Sequence, residues 1–393
     1  MNKEVLNTAI QDFINNNLNS DLSSLLLKGT TFRTVYTKEI VEQIEAKKKS
    51  ESKLPTWFNT PNIYYPNKLN LEQTSSEITA EYKSQLILGS TMIDLTGGFG
   101  VDSFYFSKQF NKVTHCEINK KLSKIASHNF KQLVAFNITT INQDGLEYLN
   151  KESETHDWIY LDPSRRHDTK GKVFYLKDCL PNVSENLDLL FKHSNNILIK
   201  ASPMLDITVG LSELKFVKEI HTVAINNDVK ELLFILENGY QETIGVKTIN
   251  IRKDIHETFT FNLNEEVHKA ATFGNLQRYL YEPNSTILKS GAFKTVSHKL
   301  KVDKLHKHSH IYTSTELIDF PGRRFEILEV FPYNKKQVEK SLKNKKANVS
   351  TRNFPLTVNQ LKKKFKIKDG GNLYVFFTTN INNEKIVVFC NKV

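Results

Sequence analysis

Two short stretches carry residue types suited to chemistry on a bound nucleotide-like molecule. The first is D-L-T-G-G-F-G, Asp94 to Gly100. Gly97, Gly98 and Gly100 permit backbone torsions with φ > 0 and let the chain approach a ligand closely, because no Cβ intervenes. Asp94 ends an apolar run (Met92, Ile93), where ligands of open α/β sheets bind. The second is L-D-P-S-R-R, Leu161 to Arg166, which follows another apolar run and pairs a carboxylate with two guanidinium groups.

The glycine turn excludes two common cofactor types. A dinucleotide fingerprint G-x-G-x-x-G begun at Gly98 meets Ser103 at its third glycine, and the G-K-S/T of a phosphate-cradling loop is missing. A cofactor without a pyrophosphate remains, and S-adenosylmethionine (SAM) is the expected one. Its aminoacyl end would lie over Thr96, Gly97, Gly98, Phe99 and Gly100, with Asp94 near its ammonium group. Glu117 stands about 20 residues beyond the turn, where a carboxylate can accept both ribose hydroxyls. Asp144, in N-Q-D-G, is placed to accept from the adenine amine; Ile118 and Gly145 flank the two acids. Upstream, Gln73, Ser76 and Lys83 border a helix that leads into the turn and can reach the same pocket. Ser75 or Ser76 can equally cap that helix.

The acceptor side is read from the second stretch. Methyl transfer from a sulfonium is an in-line displacement that needs positioning more than acid–base help. Asp162 and the Pro163 carbonyl can orient an exocyclic base nitrogen, Ser164 lies beside them, and Arg165 and Arg166 can grip a phosphate. A structural salt bridge is the alternative for the arginine pair. Lys200-Ala201-Ser202-Pro203 supplies another wall. Cys179 lacks a preceding proline, which sets aside a cysteine-nucleophile mechanism. His298, His306, His308 and His310 read as a solvated, weakly basic strand, so no metal is expected.

These residues require strands that end together. The turn is flanked by a strand and a helix pattern (Val101, Phe104, Tyr105, Phe106). Strands at Val113–Cys116, Ile138–Asn142, Trp158–Leu161 and Ile197–Lys200 alternate with helices at Lys120–Leu133, Gly145–Asn150 and Val183–Phe191. Phe216–Ala224 and Glu231–Leu236 form a closing antiparallel pair. The expected class is α/β, a Rossmann-like, mostly parallel sheet with helices on both faces. Residues 1–70 form an N-terminal helical region with stripes at Val5–Ile14, Leu22–Leu27 and Ile40–Ile44. Beyond Gln241, Val246–Ile251 and Thr258–Phe261 extend or cap the sheet, Leu276–Tyr281 is helix-like, and small α+β modules follow.

At 393 residues with net charge +11, the chain has room for two or three cores and favours a polyanionic partner. The charge is concentrated near the end: Glu339 is the sole acid from Lys335 to Lys368, among Lys336, Lys340, Arg352 and Lys362–Lys364. Aromatic residues interleave these cations, as in an RNA footprint. The three cysteines are scattered, and no signal peptide or membrane span is visible, so the expected location is the cytoplasm.

L-E-Q-T-S-S-E (Leu71–Glu77), D-L-T-G-G-F-G-V-D (Asp94–Asp102), L-D-P-S-R-R (Leu161–Arg166) and K-A-S-P-M-L-D (Lys200–Asp206) resemble bacterial class I SAM-dependent methyltransferases with a C-terminal THUMP-like domain. The resemblance implies a methyltransferase domain over 71–262, a ferredoxin-like module over 270–318 and a THUMP-like domain over 319–393. It also implies RNA, either tRNA or rRNA, as substrate. Amino-group methyltransferases show D/N-P-P-F/Y at the fourth strand end. Here Ser164 and Arg165 stand in place of the second proline and the aromatic. The acceptor atom stays open, and a stacking ring has to come from elsewhere, Phe99 or Tyr175. Two rival functions stand beside this: a non-catalytic RNA-binding protein with a vestigial pocket, and a methyltransferase of protein or small molecules.

Overall fold

The computed structural model describes residues 1–165, 175–253, 255–342 and 345–393. Arg166 lies outside the described residues, as does the side chain of Arg165. The chain divides into two units: Met1–Val217 with Phe234–Tyr240, and Lys218–Leu233 with Gln241–Val393.

The large sheet has nine strands. In chain order they are β1 (Thr91–Asp94), β2 (Lys112–Cys116), β3 (Ile138–Ile141), β4 (Trp158–Leu161), then, after the two-residue ribbon β5 (Ser164–Arg165) and β6 (Cys179–Leu180), β7 (Asn196–Ala201), β8 (Val217–Ile225), β9 (Asp228–Glu237), β10 (Gly245–Ile251) and β11 (His256–Asn262). Their order is β11-β10-β8-β9-β7-β4-β1-β2-β3. β1 pairs in parallel with both β2 and β4, β2 with β3, and β4 with β7. All five therefore end on one edge. Chain order reverses between β1 and β4, the place where open α/β sheets bind ligands. β8 and β9 are joined through Asn226 and Asn227, both at positive φ, as a tight hairpin requires. The later pair extends the sheet: β10 runs parallel to β8, and β11 antiparallel to β10.

In unit 1 the N-terminal region is helical, with helices Thr8–Asn16, Leu22–Lys28, Thr37–Lys53, Pro55–Asn59 and Lys68–Gln73. Ile10, Ile14, Ile40, Ile44 and Trp57 join Phe104, Ile125 and Phe130 in one core, so this region packs on the helices Val101–Phe106 and Lys120–Gln132. The Leu22–Leu27 stripe differs: no residue of Leu22–Lys28 is fully buried. Glu77 ties the layers together. It accepts from the Thr56 N–H (2.6 Å), the Thr56 hydroxyl (2.7 Å) and the Tyr105 hydroxyl (2.8 Å).

Unit 2 carries the second sheet, formed by β12 (Tyr279–Pro283), β13 (Asp303–Lys304), β14 (Tyr312–Ser314), β15 (Gly322–Pro332), β16 (Asn348–Thr351), β17 (Leu373–Thr379) and β18 (Lys385–Lys392), in the order β13-β14-β12-β15-β18-β17-β16. The two segments expected as separate modules share this one sheet, joined where β12 pairs with β15. The helix-like reading of Leu276–Tyr281 is overturned. Tyr279–Pro283 is a central strand with Leu280 and Tyr281 wholly buried, and such two-sided burial hides the alternation that marks a strand. Helices Lys335–Leu342 and Val358–Phe365 pack on one face through Val338, Leu342, Leu361 and Phe365. The four histidines do not form a solvated strand: His298 lies in the helix Phe293–Leu300, and His306, His308 and His310 in a turn after β13. His306 is buried and bonded to Asn383 and Asn353, and His310 stacks on Phe293 at 3.7 Å.

Candidate active site

The glycine turn leaves β1 and re-enters a helix at Val101–Phe106. Its backbone is fixed on both sides: Gly97 N–H donates to the Cys116 carbonyl (2.8 Å), and Gly100 N–H to the Gly97 carbonyl (2.9 Å). Gly98 and Gly100 adopt φ of 58° and 90°. Gly97 is needed for a different reason. A Cβ there would sit 2.3 Å from the His115 ring, which is wholly buried beneath the turn. Burial pushes the His115 imidazole down to about 4, so the ring is neutral at pH 7.

Asp94 is 1% exposed. One oxygen accepts from Thr96 N–H at 3.0 Å, and the other from the Ser103 hydroxyl at 2.6 Å. Burial, only partly offset by these bonds, pushes its carboxyl up to about 7. Asp94 thus closes the turn from within. Glu117, just past β2, accepts from Gly98 N–H (2.9 Å) and Asn119 N–H (2.6 Å); burial raises its carboxyl too. Asp144 caps the helix Gly145–Lys151 through one oxygen, which accepts from Leu146 and Glu147 N–H. Gly145 lies against the Leu95 carbonyl, 2.3 Å from where a Cβ would be. Ile118, between these acids, is 70% exposed, an apolar surface at a strand end.

Upstream, Ser76 caps the helix Glu77–Ser84 and Gln73 is exposed. Ser75 turns inward instead. Its hydroxyl donates to Asp102 (2.8 Å), as does that of Tyr160 (2.8 Å), while Lys83 Nζ lies 3.2 Å from the other Asp102 oxygen. Lys83 is wholly buried. Burial alone would raise the Asp102 carboxyl; the charges of Lys83 and Lys200 and the two hydroxyls outweigh it and hold the group below its ordinary value. The sequence reading missed this cluster, although both ends of it stand in the quoted motifs: Ser75 in L-E-Q-T-S-S-E and Asp102 in D-L-T-G-G-F-G-V-D.

On the acceptor side, Asp162 N–H donates to the Thr96 hydroxyl (2.7 Å), and the Asp162 carboxylate accepts from the Lys200 ammonium at the end of β7. Pro163 is buried, Ser164 is exposed, and Ser164–Arg165 pairs with Cys179–Leu180. Phe99 cannot serve as a stacking ring. It is 2% exposed and packs on Trp57 at 6.2 Å, because the N-terminal helices supply an aromatic core against the turn. Among the described residues no group of three His, Cys, Asp or Glu could hold a metal ion. None of their helices is long and apolar enough to cross a membrane.

Parallel strands ending at a glycine turn, with acids after β1, β2, β3 and β4, define a class I methyltransferase fold. The crystal structure of a candidate methyltransferase from Porphyromonas gingivalis W83 shares this fold over the whole chain. It is 32% identical, with a TM-score of 0.90, covering 100% of this chain and 98% of that one. The chain belongs to that family of class I methyltransferases with a ferredoxin-like and a THUMP-like C-terminal part. The ferredoxin-like domain description matches residues 279–321, and the THUMP domain-like description residues 322–392. Shorter likenesses include an rRNA methylase from Streptococcus thermophilus (15% identity, 42% of this chain and 95% of that one, TM-score 0.31). Another is M. capricolum TrmK bound to S-adenosyl-homocysteine (17%, 42% and 70%, TM-score 0.32). No curated protein matches the chain.

Proposed function

We propose that this protein is a SAM-dependent methyltransferase of RNA. The observation that carries the reading is the glycine turn of β1, fastened to β2 through Glu117 and Gly98. The residues present fit the cofactor. Gly98 has no atom closer than 3.8 Å to its Cβ position, so its backbone is open to a ligand. Glu117, Ile118 and Asp144 line successive strand ends, which offers ribose hydroxyls a carboxylate, adenine an apolar flank and its amine a second carboxylate. When bound, the sulfonium supplies a methyl group open to in-line displacement. The protein's share is to hold the acceptor against it and keep water out. Asp162, Pro163 and Ser164 are the acceptor-facing residues of this reading, with the Arg165–Arg166 pair beside them.

RNA is favoured by the cations of unit 2. Lys336, Lys340, Lys363, Lys366 and Lys368 are exposed, as is Lys335, which lies 3.8 Å from Glu339. Others in the same stretch are already engaged: Arg352 pairs with Glu282, and Lys362 with Asp369 at 2.6 Å. The THUMP-like match over these residues points the same way. The test compares modified nucleosides by mass spectrometry in RNA from a strain lacking the gene and from its parent. Loss of one methylated nucleoside is expected; identical profiles would overturn the assignment to RNA.

A further inference from the structure

The acceptor side of the cleft carries a cation as well as a carboxylate. Lys200 Nζ bonds Asp162 Oδ2, and the side chains keep 13% and 32% of their exposure. β4 and β7 are parallel neighbours with Leu161 opposite Ile199, so the pair joins two strand ends. Through Asp162 N–H and the Thr96 hydroxyl it is also fastened to the glycine turn. Asp102, which feels the charge of Lys200, and the buried Lys83 lie behind it. The arrangement is too built to be a chance surface contact.

A cation here discriminates between acceptors. A neutral nitrogen gains positive charge as it attacks a methyl group, and an adjacent ammonium opposes that build-up. A hydroxyl must shed its proton, and an adjacent ammonium favours the negative charge left on oxygen. The Lys200 bond also occupies one of the two Asp162 oxygens that an exocyclic amine would use.

Resting on the SAM-dependent reading above, we propose that the acceptor is a hydroxyl rather than a base nitrogen. Within an RNA strand, that hydroxyl is the ribose 2′-OH. The 2′ oxygen forms a bond to the donor methyl carbon as the carbon–sulfur bond breaks. The electron pair of that bond stays on sulfur, and S-adenosylhomocysteine leaves. The oxygen's proton passes to Asp162 and from there to water. Lys200 keeps its proton throughout and offsets negative charge on the reacting oxygen.

The experiment uses the full chain, methyl-labelled SAM and total RNA from a strain lacking the gene, with the RNA digested to nucleosides afterwards. Label in 2′-O-methylnucleosides is expected. Lys200→Met should lower transfer about 100-fold or more, a typical contribution of one preorganised charge facing a developing oxyanion. Its S-adenosylhomocysteine affinity by calorimetry should stay within about threefold, which also shows that it folds. Lys200→Arg, which keeps the charge, should recover part of the rate. Label on a base, full activity in Lys200→Met, or no RNA labelling by a chain that binds S-adenosylhomocysteine would each overturn the hydroxyl assignment. Failure of the wild-type chain to bind S-adenosylhomocysteine would instead overturn the reading on which it rests.

Discussion

Gly97 and Gly98 are neighbours with different duties, and alanine substitution separates them. Gly98 has space but sits at φ 58°, so Gly98→Ala costs about 1–2 kcal/mol of backbone strain. Gly97→Ala drives a methyl group into the His115 ring and should lower the melting temperature more than Gly98→Ala does. Equal shifts in thermal melts would contradict the packing described. Asp94 offers a second test. Its carboxyl is raised to about 7 when folded, against about 4 when unfolded, so the native state binds the extra proton between these values. The stability it contributes is complete below pH 4 and is lost as pH rises through 7. His115, lowered to about 4, acts in the opposite sense: its contribution is lost as pH falls from about 6.5. The two effects overlap, so the wild type alone hides both. Asp94→Asn should be the more stable relative to wild type at pH 8 than at pH 5. A difference independent of pH would remove the assignment. Glycines and acids were legible one by one in the sequence, but what lies behind them was not. Nothing local in T-H-C shows that His115 sits under Gly97, and nothing local at Asp94 shows its bonds to Thr96 and Ser103.

At the scale of elements, strands that end in a motif were read closely: Trp158–Leu161 matches its expected bounds. An error fell where burial on both sides erases periodicity, as at Tyr279–Pro283, whereas the stripe at Leu22–Leu27 is the expected helix, with Leu22 and Leu25 partly buried against the core. Long-range ties were invisible too. Ser75 and Tyr160 lie 27 and 58 residues from Asp102, yet both bond it. This cluster fixes the helix Glu77–Ser84 against β4 and the helix Val101–Phe106. Removing one partner of a buried ion pair costs about 3–5 kcal/mol, since the other charge is stranded. Lys83→Met should therefore destabilise strongly, and Lys83→Met with Asp102→Asn should be milder than Lys83→Met alone. A double variant worse than Lys83→Met in urea unfolding would deny the coupling. Glu77→Gln weakens the clasp on Pro55–Asn59, and the Thr56 amide, bonded at 2.6 Å, should exchange at least about tenfold faster. Unchanged Thr56 exchange would mean that the helix is held by packing alone.

For the molecule as a whole, charge and sequence order gave the outline: a parallel sheet first, a basic α+β part afterwards. That β12 and β15 join the ferredoxin-like and THUMP-like segments in one sheet depends on pairing across some 40 residues, which composition does not encode. If the exposed lysines of unit 2 meet phosphates, RNA affinity should fall linearly on a log–log plot against salt. Replacing Lys363 and Lys366 by Gln should make that slope shallower by about 1–2. A slope unchanged by these substitutions would move the footprint elsewhere.

In the reading proposed above, the turn after β1 holds a sulfonium cofactor, with Glu117 as its ribose partner. Calorimetric titration of the full chain with S-adenosylhomocysteine tests it most directly. One site per chain is expected, with affinity about 10- to 100-fold weaker in Glu117→Gln, the loss of a charged hydrogen-bond acceptor. A folded wild-type chain that takes up no S-adenosylhomocysteine, or a Glu117→Gln variant that binds it as tightly as the wild type, would contradict the account.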